Sequence, residues 1–192
     1  MKIDETRDKI LKVASRIFGQ YGFYRSTMDE VARTAHKAKG SIYYYFANKE
    51  DLFREVVIKE MEEIKSSLEK VIHEKKPATE MIKSYFLVRM NVMRRCVNYH
   101  QMLRADFAEK FEFLNDARKE LDTFEVDLLT QIFEKGVIEQ NLEIHNVEKS
   151  AQLIVMAMKA FEVPFFLQNK IDEYEQTVIE LLDLIFKGLG KS

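Results

Sequence analysis

The chain has 192 residues, of which 46% are hydrophobic and 32% are charged, a balance typical of a soluble globular protein rather than a disordered one. Its formal net charge of −2 excludes a uniformly basic chain of the kind that coats nucleic acid. Cys96 is the only cysteine, so no intramolecular disulfide can form and a reducing compartment is favoured.

Few helix breakers interrupt the chain, which holds two prolines and six glycines. Lys, Glu, Leu, Ile and Met favour helices, and we therefore predict an all-α fold. The first helix is predicted to begin near Asp4, because Ile10, Ala14 and Ile17 recur on one helical face. Gly22 follows this apolar stripe and is predicted to end the helix.

Two short helices are predicted next. The first opens with a capping box, in which the Thr27 side chain accepts from a free backbone N–H and Glu30 reaches back. After a turn of three residues, the second helix runs from Lys39 to Phe46, with Ile42 and Phe46 facing inward. Two helices of about two turns each, joined by a short turn, match a helix-turn-helix.

A long helix follows this motif. Asn48 is a predicted N-cap, with Asp51 three residues later. Apolar residues then recur without a breaker as far as His73, and Pro77 ends the pattern. We predict that this helix connects two domains.

The chain beyond Pro77 is predicted to form five helices, near residues 78–100, 103–110, 115–135, 147–167 and 172–188. Gly136 is predicted to close the third of them, and Asn146 to cap the fourth. The helix over 147–167 is apolar on nearly all sides, and such a helix must be buried on all sides. One side is therefore predicted to pack on its own domain and the other on a second subunit.

Charge is distributed unevenly along the chain. Residues 1–53 carry ten Lys or Arg against seven Asp or Glu, and four cations but no acid lie from Arg33 to Lys49. Because screening confines an electrostatic field to its surroundings, a local basic patch on an otherwise acidic chain can bind phosphates.

Residues 35–52 read AHKAKGSIYYYFANKEDL. Together with the apolar spacing from Ile10 to Phe18 and the turn at Gly22, this segment resembles the signature of the tetracycline-repressor (TetR) family. The resemblance is dense over residues 7–58. It implies an all-α protein with a three-helix helix-turn-helix DNA-binding domain at residues 1–48, a connecting helix at 49–76, and a helical effector-binding and dimerisation domain at 77–192.

The sequence departs from the family pattern in the turn. A glycine is usual where His36 stands, an apolar residue where Lys37 stands, and a small hydroxyl residue where Ala38 stands. Ala38 cannot cap the next helix through its side chain, whereas Lys37 adds positive charge. The turn is therefore the atypical part of the motif.

The resemblance implies a sequence-specific DNA-binding transcriptional regulator, and we favour a repressor released by a small-molecule effector. The major groove admits one helix, whose first residues meet the base edges. The Lys39 ammonium can bond guanine, Gly40 allows close approach, and the Tyr43 and Tyr44 hydroxyls can reach phosphates, whereas Tyr45 is predicted to pack inward. The predicted DNA contacts are Thr27, Lys39, Gly40, Ser41, Tyr43, Tyr44 and Lys49.

A ligand pocket is predicted within residues 77–192, because Met and aromatic side chains suit adaptable apolar sites, although most such residues simply form core. The candidate residues are Tyr85, Arg89, Met90, Met93, Tyr99, Met102, Phe107, Phe111, Phe124, Phe161 and Phe165. Arg89 and Lys159 are cations on mostly apolar helices, and burying such a cation destabilises the folded chain unless the cation is paired. Each is expected to hold a ligand carboxylate or, as we favour, a salt bridge or a place at the subunit rim.

Three kinds of partner are expected. A helix-turn-helix dimer reads two half-sites about 34–36 Å apart, which implies double-stranded DNA with a palindromic operator. The resemblance implies a homodimer through helices 147–167 and 172–188. A small apolar or amphipathic effector completes the set, and no membrane is expected to take part.

An alternative remains open: a DNA-binding dimer without an effector, acting as an architectural or protein-interaction factor. A fully packed C-terminal domain would favour that alternative. The sequence leaves open the effector, the operator, the regulated genes and whether regulation is negative.

An enzyme is not expected. His36, His73, His100 and His145 have no metal-binding spacing, and no catalytic set is recognisable. No cofactor or metal is therefore predicted. The chain shows no apolar leader, and no stretch approaches the roughly 20 apolar residues of a membrane helix, so we expect a cytoplasmic protein.

Overall fold

A computed structural model describes residues 2–104, 113–168 and 180 of the chain. Within these ranges the chain forms eight α-helices and one π-helical turn. The elements are α1 Lys2–Tyr21, α2 Met28–Ala35, α3 Lys39–Tyr45, α4 Lys49–Ile72, α5 Ala78–Arg95, α6 Val97–Met102, α7 Phe113–Ile138, α8 Val147–Glu162 and the π-helical turn Val163–Leu167. The predicted all-α fold is confirmed.

The first three helices share a core with the start of α4. Helix α1 ends where Gly22 takes a φ of 80°, a left-handed conformation that glycine adopts without steric strain, and the predicted stop is confirmed. The Phe53 ring of α4 lies 5.3 Å from the Phe18 ring and 5.0 Å from the Phe23 ring, between ring centroids. These contacts fix the α1–α2 connector against the first turns of α4.

Helix α4 runs from the N-terminal domain into the C-terminal half. The Asn48 side chain accepts a hydrogen bond from the backbone N–H of Asp51 at 2.7 Å, which confirms the predicted N-cap. The buried face extends from Leu52 to Val71 and packs against α1, α5 and α7. Because one helix contacts both halves, its tilt affects their relative orientation.

The prediction of one helix over residues 78–100 is wrong, because α5 ends at Arg95 and α6 begins at Val97. Between them Cys96 takes φ −81° and ψ 62°, outside the helical region. The Glu60 carboxylate on α4 accepts hydrogen bonds from the backbone N–H groups of Asn98 at 3.3 Å and Tyr99 at 2.7 Å. These N–H groups bond to Glu60 instead of extending the α5 ladder, so the chain turns without a Gly or Pro.

The prediction that Gly136 ends a helix near residue 135 is also wrong, since α7 continues to Ile138 and the left-handed residue is Gln140, at φ 58°. Gly136 serves close packing instead. A Cβ at this position would lie 2.8 Å from Leu142 Cγ and 3.1 Å from Ala78 Cβ. The residue after the helix, rather than the glycine within it, makes the turn.

The later predictions have mixed outcomes. The Asn146 side chain accepts from the backbone N–H of Lys149 at 2.9 Å, so the predicted cap of α8 is confirmed. The helix expected over 147–167 is α-helical only to Glu162, and the π-helical turn that follows contains Pro164, which has no N–H to donate. The predicted helix 172–188, apart from Glu180, and most of the predicted helix 103–110 lie outside the described residues.

Candidate nucleic-acid interface

The turn between α2 and α3 is closed by backbone hydrogen bonds. His36 takes φ 54° and ψ 47°, a left-handed conformation that strains an L-residue by roughly 1–2 kcal/mol. The backbone N–H of Lys37 donates to the carbonyl of Ala32 at 3.0 Å, as in a Schellman cap. Ala38 makes no side-chain cap, as predicted. The left-handed backbone explains why glycine suits position 36.

The orientation of α3 follows from two buried anchors, Ile42 and Phe46. They hold one face against the domain core and turn the opposite face to solvent. Tyr43 and Tyr44 are 44% and 74% exposed, whereas Tyr45 is half-buried and packs against the core. The prediction that Tyr45 is the packing tyrosine is confirmed.

Four predicted contact residues lie on or beside this exposed face of α3. Lys39, Gly40, Tyr43 and Tyr44 are exposed, and Ser41 is half-buried. A Cβ built at Gly40 would meet no described atom within 4 Å. The fold therefore does not require a glycine there, and a Gly in a helix is destabilising by roughly 0.5–1 kcal/mol relative to Ala. A glycine that the fold does not need is compatible with close approach by a partner.

Lys39 is not isolated in the structure. Its ammonium lies 2.8 Å from the Asp29 carboxylate of α2, and both side chains are exposed. The hydrogen bond and the charge of Asp29 raise the pKa of Lys39 above its usual value. The cation proposed to read bases thus carries an intramolecular acidic partner.

Thr27 forms the predicted capping box. Its hydroxyl accepts from the backbone N–H of Glu30 at 3.2 Å, while the Glu30 carboxylate accepts from the backbone N–H of Thr27 at 3.0 Å. The residue is exposed at the start of α2, so capping does not hide it from a partner.

Lys49 has intramolecular partners that the sequence did not reveal. Its ammonium donates to the carbonyls of Phe23 at 3.0 Å and Ser26 at 3.1 Å, and it lies 4.3 Å from the centroid of the Phe23 ring. Lys49 therefore braces the α1–α2 connector, and its predicted phosphate contact stays a prediction.

Arg7 is a second brace that sequence reasoning missed. Its guanidinium forms an ion pair with Glu55 and lies 5.4 Å from the centroid of the Phe46 ring. It thereby ties α1 to the end of α3 and to α4. In the sequence, Arg7 fits the helical pattern of α1, and nothing near it along the chain indicates this pairing.

The structure scatters the predicted pocket residues through the C-terminal core. Those that are buried are Tyr85, Arg89, Met93, Tyr99, Met102 and Phe165. Those that are partly buried are Met90, Phe124 and Phe161. Phe107 and Phe111 lie outside the described residues.

Three of the buried pocket residues belong to a charged cluster of six side chains, which we call the Arg89 cluster: Tyr85, Arg89, Tyr99, Arg118, Glu125 and Glu162, of which Arg118 alone is partly exposed. Arg89 bonds Glu125 at 2.7 Å and Glu162 at 2.8 Å. Tyr85 donates to Glu125, and Tyr99 donates to Glu162 at 3.1 Å. Arg118 bonds Glu162 at 2.8 Å, so two cations face two carboxylates.

Burial raises the pKa values of Tyr85 and Tyr99, and the neighbouring carboxylates add to the shift. Burial opposes the charge of Arg89, but Glu125 and Glu162 raise its pKa above the usual value. Arg89 therefore forms salt bridges in this structure, which confirms the alternative that we favour for this residue. The second cation, Lys159, pairs with Asp122.

Sequence reasoning missed Glu125 and Glu162. The same rule that singled out Arg89, a charge among apolar helical neighbours, applies to Glu162 between Phe161 and Val163. A search for acids in apolar helices would have found this partner.

A cleft of about 440 Å³ lies between α1 and α4 rather than among the predicted pocket residues. Its lining includes the apolar side chains of Leu11 and Val56 and the charged side chains of Lys12, Arg16 and Glu63. Within the described ranges, no group of three His, Cys, Asp or Glu side chains is placed to hold a metal ion.

The surface of α8 is unusually apolar. Leu153 is 51% exposed and Met156 is 64% exposed, whereas Ala151, Val155 and Met158 face the core. The expectation that no stretch approaches a membrane helix is wrong for the segment Val147–Leu167, which could cross a membrane by length and composition alone; 28% of its apolar window is buried within the chain.

Known proteins resemble this chain in sequence and in fold. Residues 10–56 match the family model for bacterial regulatory proteins of the tetR family. The HTH-type transcriptional regulator QacR of Staphylococcus aureus is 25% identical over 191 residues, which cover 96% of this chain and 98% of QacR.

Two solved structures show the same fold. A transcriptional regulator from Cytophaga hutchinsonii has a TM-score of 0.77 at 22% identity, covering 95% of this chain and 97% of that one. FadR from Bacillus subtilis in complex with stearoyl-CoA has a TM-score of 0.70 at 20% identity, covering 91% and 96%. With the helix-turn-helix geometry, the sequence match assigns residues 10–56 to the DNA-binding domain of the tetR family of bacterial regulatory proteins, and the chain is a DNA-binding transcriptional regulator rather than an enzyme.

Proposed function

We propose that this protein is a cytoplasmic, homodimeric repressor that binds a palindromic operator through α3 and is released by a small amphipathic effector. The observation that carries the DNA contact is the exposed face of α3, where Lys39, Gly40, Tyr43 and Tyr44 stand outward while Ile42 is buried. Ser41 and Thr27 flank that face. An exposed face of this composition suits phosphate and base-edge contacts.

The dimer part of the proposal rests on α8. Exposed Leu153 and Met156 lie on the side of α8 that its own core does not cover, and large exposed apolar patches mark interaction surfaces. A second copy of the chain would cover this face, and residues 172–188 are the other segment that we propose for the dimer interface. Two recognition helices could then reach successive major grooves.

The effector part rests on α4 and the C-terminal core. Helix α4 packs against α1 on one side and against α5 and α7 on the other, so a change among α5 and α7 would reach the DNA-binding domain. The effector must bind the DNA-incompetent state more tightly, because equal affinities shift nothing. The FadR structure holds stearoyl-CoA, and a solved structure of SmeT holds triclosan.

A second candidate function is a DNA-binding dimer without an effector. The Arg89 cluster favours it, because the Arg89 guanidinium is fully buried and bonded to two carboxylates. A buried cation that is already paired with two carboxylates needs no ligand to neutralise it.

The DNA contact is tested by fluorescence anisotropy on a labelled duplex that the purified protein selects from a random library. Lys39→Ala and Tyr43→Ala should each weaken affinity on the order of tenfold, the size of one lost base or phosphate contact. Matched controls are Lys75→Ala and Tyr21→Ala, which remove exposed side chains outside α3. Full affinity in both α3 variants would refute the assignment.

The two candidate functions are separated by titrating stearoyl-CoA and then triclosan into the preformed DNA complex. Release of DNA by either compound, with binding to the protein seen by calorimetry, supports an effector. Binding of neither compound, with a stable DNA complex, supports the second candidate.

A further inference from the structure

Helix α6 makes hydrogen bonds both to the end of α1 and to the Arg89 cluster. We propose that Asn98 and Gln101 of α6 are positioning residues for DNA binding, and that Tyr99 makes their position depend on Glu162. The inference rests on the proposed function, since it concerns how the C-terminal half sets the orientation of the DNA-binding domain.

Gln101 bridges the chain on either side of the α1 stop. Its side-chain Nε2 donates to the carbonyl of Phe18 at 3.0 Å, and its Oε1 accepts from the backbone N–H of Phe23 at 2.9 Å. Phe18 is in the last turn of α1 and Phe23 begins the connector to α2. One amide therefore holds both sides of the turn that directs the chain into the helix-turn-helix.

Asn98 makes a second junction, deeper in the structure. It is fully buried, and its Nδ2 donates to the Ser15 carbonyl at 3.1 Å, to the Ser15 hydroxyl at 3.2 Å and to Glu60 at 2.7 Å. It thereby joins α6 to α1 and α4 at one point. A buried amide that loses its hydrogen-bond partners destabilises the folded chain, so this junction resists separation of the three helices.

Close packing leaves little slack between α1 and α6. A Cβ at Gly19 would lie 2.7 Å from Cγ2 of Val97, closer than real Cβ contacts. The Glu60 carboxylate also fixes the start of α6 through the backbone N–H groups of Asn98 and Tyr99. Since packed interfaces switch between arrangements rather than deform smoothly, α6 moves as one piece.

Tyr99 points from the same short helix toward the C-terminal core. Its hydroxyl donates to Glu162 at 3.1 Å, and the neighbouring His100 ring stacks on Phe166 at 4.4 Å between centroids. Glu162 also bonds Arg89 and Arg118. Any rearrangement that pulls Glu162 away from Tyr99 therefore frees α6 to change its bonds to Phe18 and Phe23.

The first test needs no DNA. NMR hydrogen exchange of the Phe23 amide is measured in the full-length protein, where this N–H donates to Gln101. Gln101→Ala should speed exchange by about fivefold or more, as expected for loss of one hydrogen bond. Tyr99→Phe, which touches neither partner, should also speed it. Exchange that is unchanged in Tyr99→Phe overturns the link.

Two controls accompany this test. Asn91→Ala removes an exposed amide of α5, and Asp122→Asn breaks the α7–α8 ion pair with Lys159; neither should alter exchange at Phe23. If Tyr99→Phe fails to fold, Glu162→Gln removes the charge of the carboxylate that accepts from the Tyr99 hydroxyl, with little change in shape, and should likewise speed exchange at Phe23.

The second test is a double-variant cycle on the affinity for the selected duplex. Tyr99→Phe alone should change affinity at least about threefold, and should add nothing in the Gln101→Ala background, because coupled residues are not additive. If the fold-changes of the two single substitutions multiply in the double variant, the two residues act independently and the inference is overturned. If the protein selects no DNA, the proposed function fails, while the exchange test still decides whether α6 is a clamp.

Discussion

The Lys39 ammonium and the Asp29 carboxylate lie 2.8 Å apart, joining the first turn of α3 to the first turn of α2. Both side chains are exposed, so the pair can open without exposing any buried group. DNA that recruits Lys39 must compete with Asp29 for its proton donors. We therefore expect the acid to limit how readily the cation engages a weak or incorrect site.

Replacement of this acid is the first prediction. Asp29→Asn should strengthen binding to non-operator DNA by about twofold to fivefold, the range for an exposed ion pair, and so lower the ratio of specific to non-specific affinity. Anisotropy titrations on selected and scrambled duplexes measure both. Glu63→Gln, which breaks the exposed pair with Arg95 at 3.1 Å, is the matched control. An unchanged ratio in Asp29→Asn contradicts the idea.

Gly40→Ala should separate stability from DNA binding. The new methyl group meets no described atom, so the free energy of unfolding should rise by about 0.5–1 kcal/mol, while DNA affinity falls on the order of tenfold if the duplex approaches closely. Urea denaturation and anisotropy measure the two. Gly19→Ala, which would crowd Val97, should instead destabilise. Undiminished DNA affinity in Gly40→Ala removes Gly40 from the interface.

His36→Gly should stabilise the protein by about 0.5–1 kcal/mol, because glycine relieves left-handed strain at a φ of 54°. His73→Gly is the control, since His73 caps α4 with φ −88°, where glycine brings only entropy loss and should destabilise. Thermal unfolding monitored by circular dichroism measures both. The prediction fails if both variants shift the melting temperature in the same direction.

Arg89→Met should destabilise by about 3–5 kcal/mol, because it leaves Glu125 and Glu162 buried without their shared cation. Lys159→Met removes the partly exposed partner of Asp122 and should change stability by about 0–1 kcal/mol. Chemical denaturation compares them. Similar small effects in both variants would mean that the Arg89 cluster is not closed in solution.

Glu60 gives a pH-dependent prediction. Burial raises the pKa of Glu60, although hydrogen bonds from Tyr99 and Asn98 oppose the shift. The folded chain then keeps this proton to higher pH than the unfolded chain. Unfolding releases it between the two pKa values, so the free energy of unfolding falls as pH rises through that window.

The contribution of Glu60 to the free energy of unfolding is fully present below the unfolded-state pKa of about 4.3, and it is lost as pH rises through the folded-state pKa. Stability of the wild type minus that of Glu60→Gln should therefore decrease between these pH values, measured by urea denaturation at several pH values. Glu62→Gln, at an exposed site on the same helix, should show no such trend. A pH-independent difference for Glu60→Gln would contradict the raised pKa.

The N-terminal elements could be predicted because their signals are local. The Thr27 capping box, the Asn48 cap and the stop at Gly22 each depend on residues within four positions of one another. Ile42 and Phe46 likewise reveal the buried side of α3 by their spacing. Local hydrogen bonding and helical periodicity are properties of short segments, so the sequence alone contains them.

The breaks and pairings of the C-terminal half were not predictable in this way. The α5–α6 break depends on Glu60, which lies 38 residues from Asn98 along the chain. Arg89 meets Glu162 across 73 residues. Such partners are chosen by the packing of whole helices, which periodicity does not encode.

The sequence by itself determined the helix-turn-helix, which side of its third helix faces solvent, and the family that residues 10–56 match. Tertiary structure alone decided that Lys39 pairs with Asp29, that Lys49 braces the connector and that Arg89 is bonded within the core. The physical reason is the reach of each interaction: capping and periodicity act within one or two turns, whereas a charged side chain takes whichever partner the fold brings within hydrogen-bonding distance.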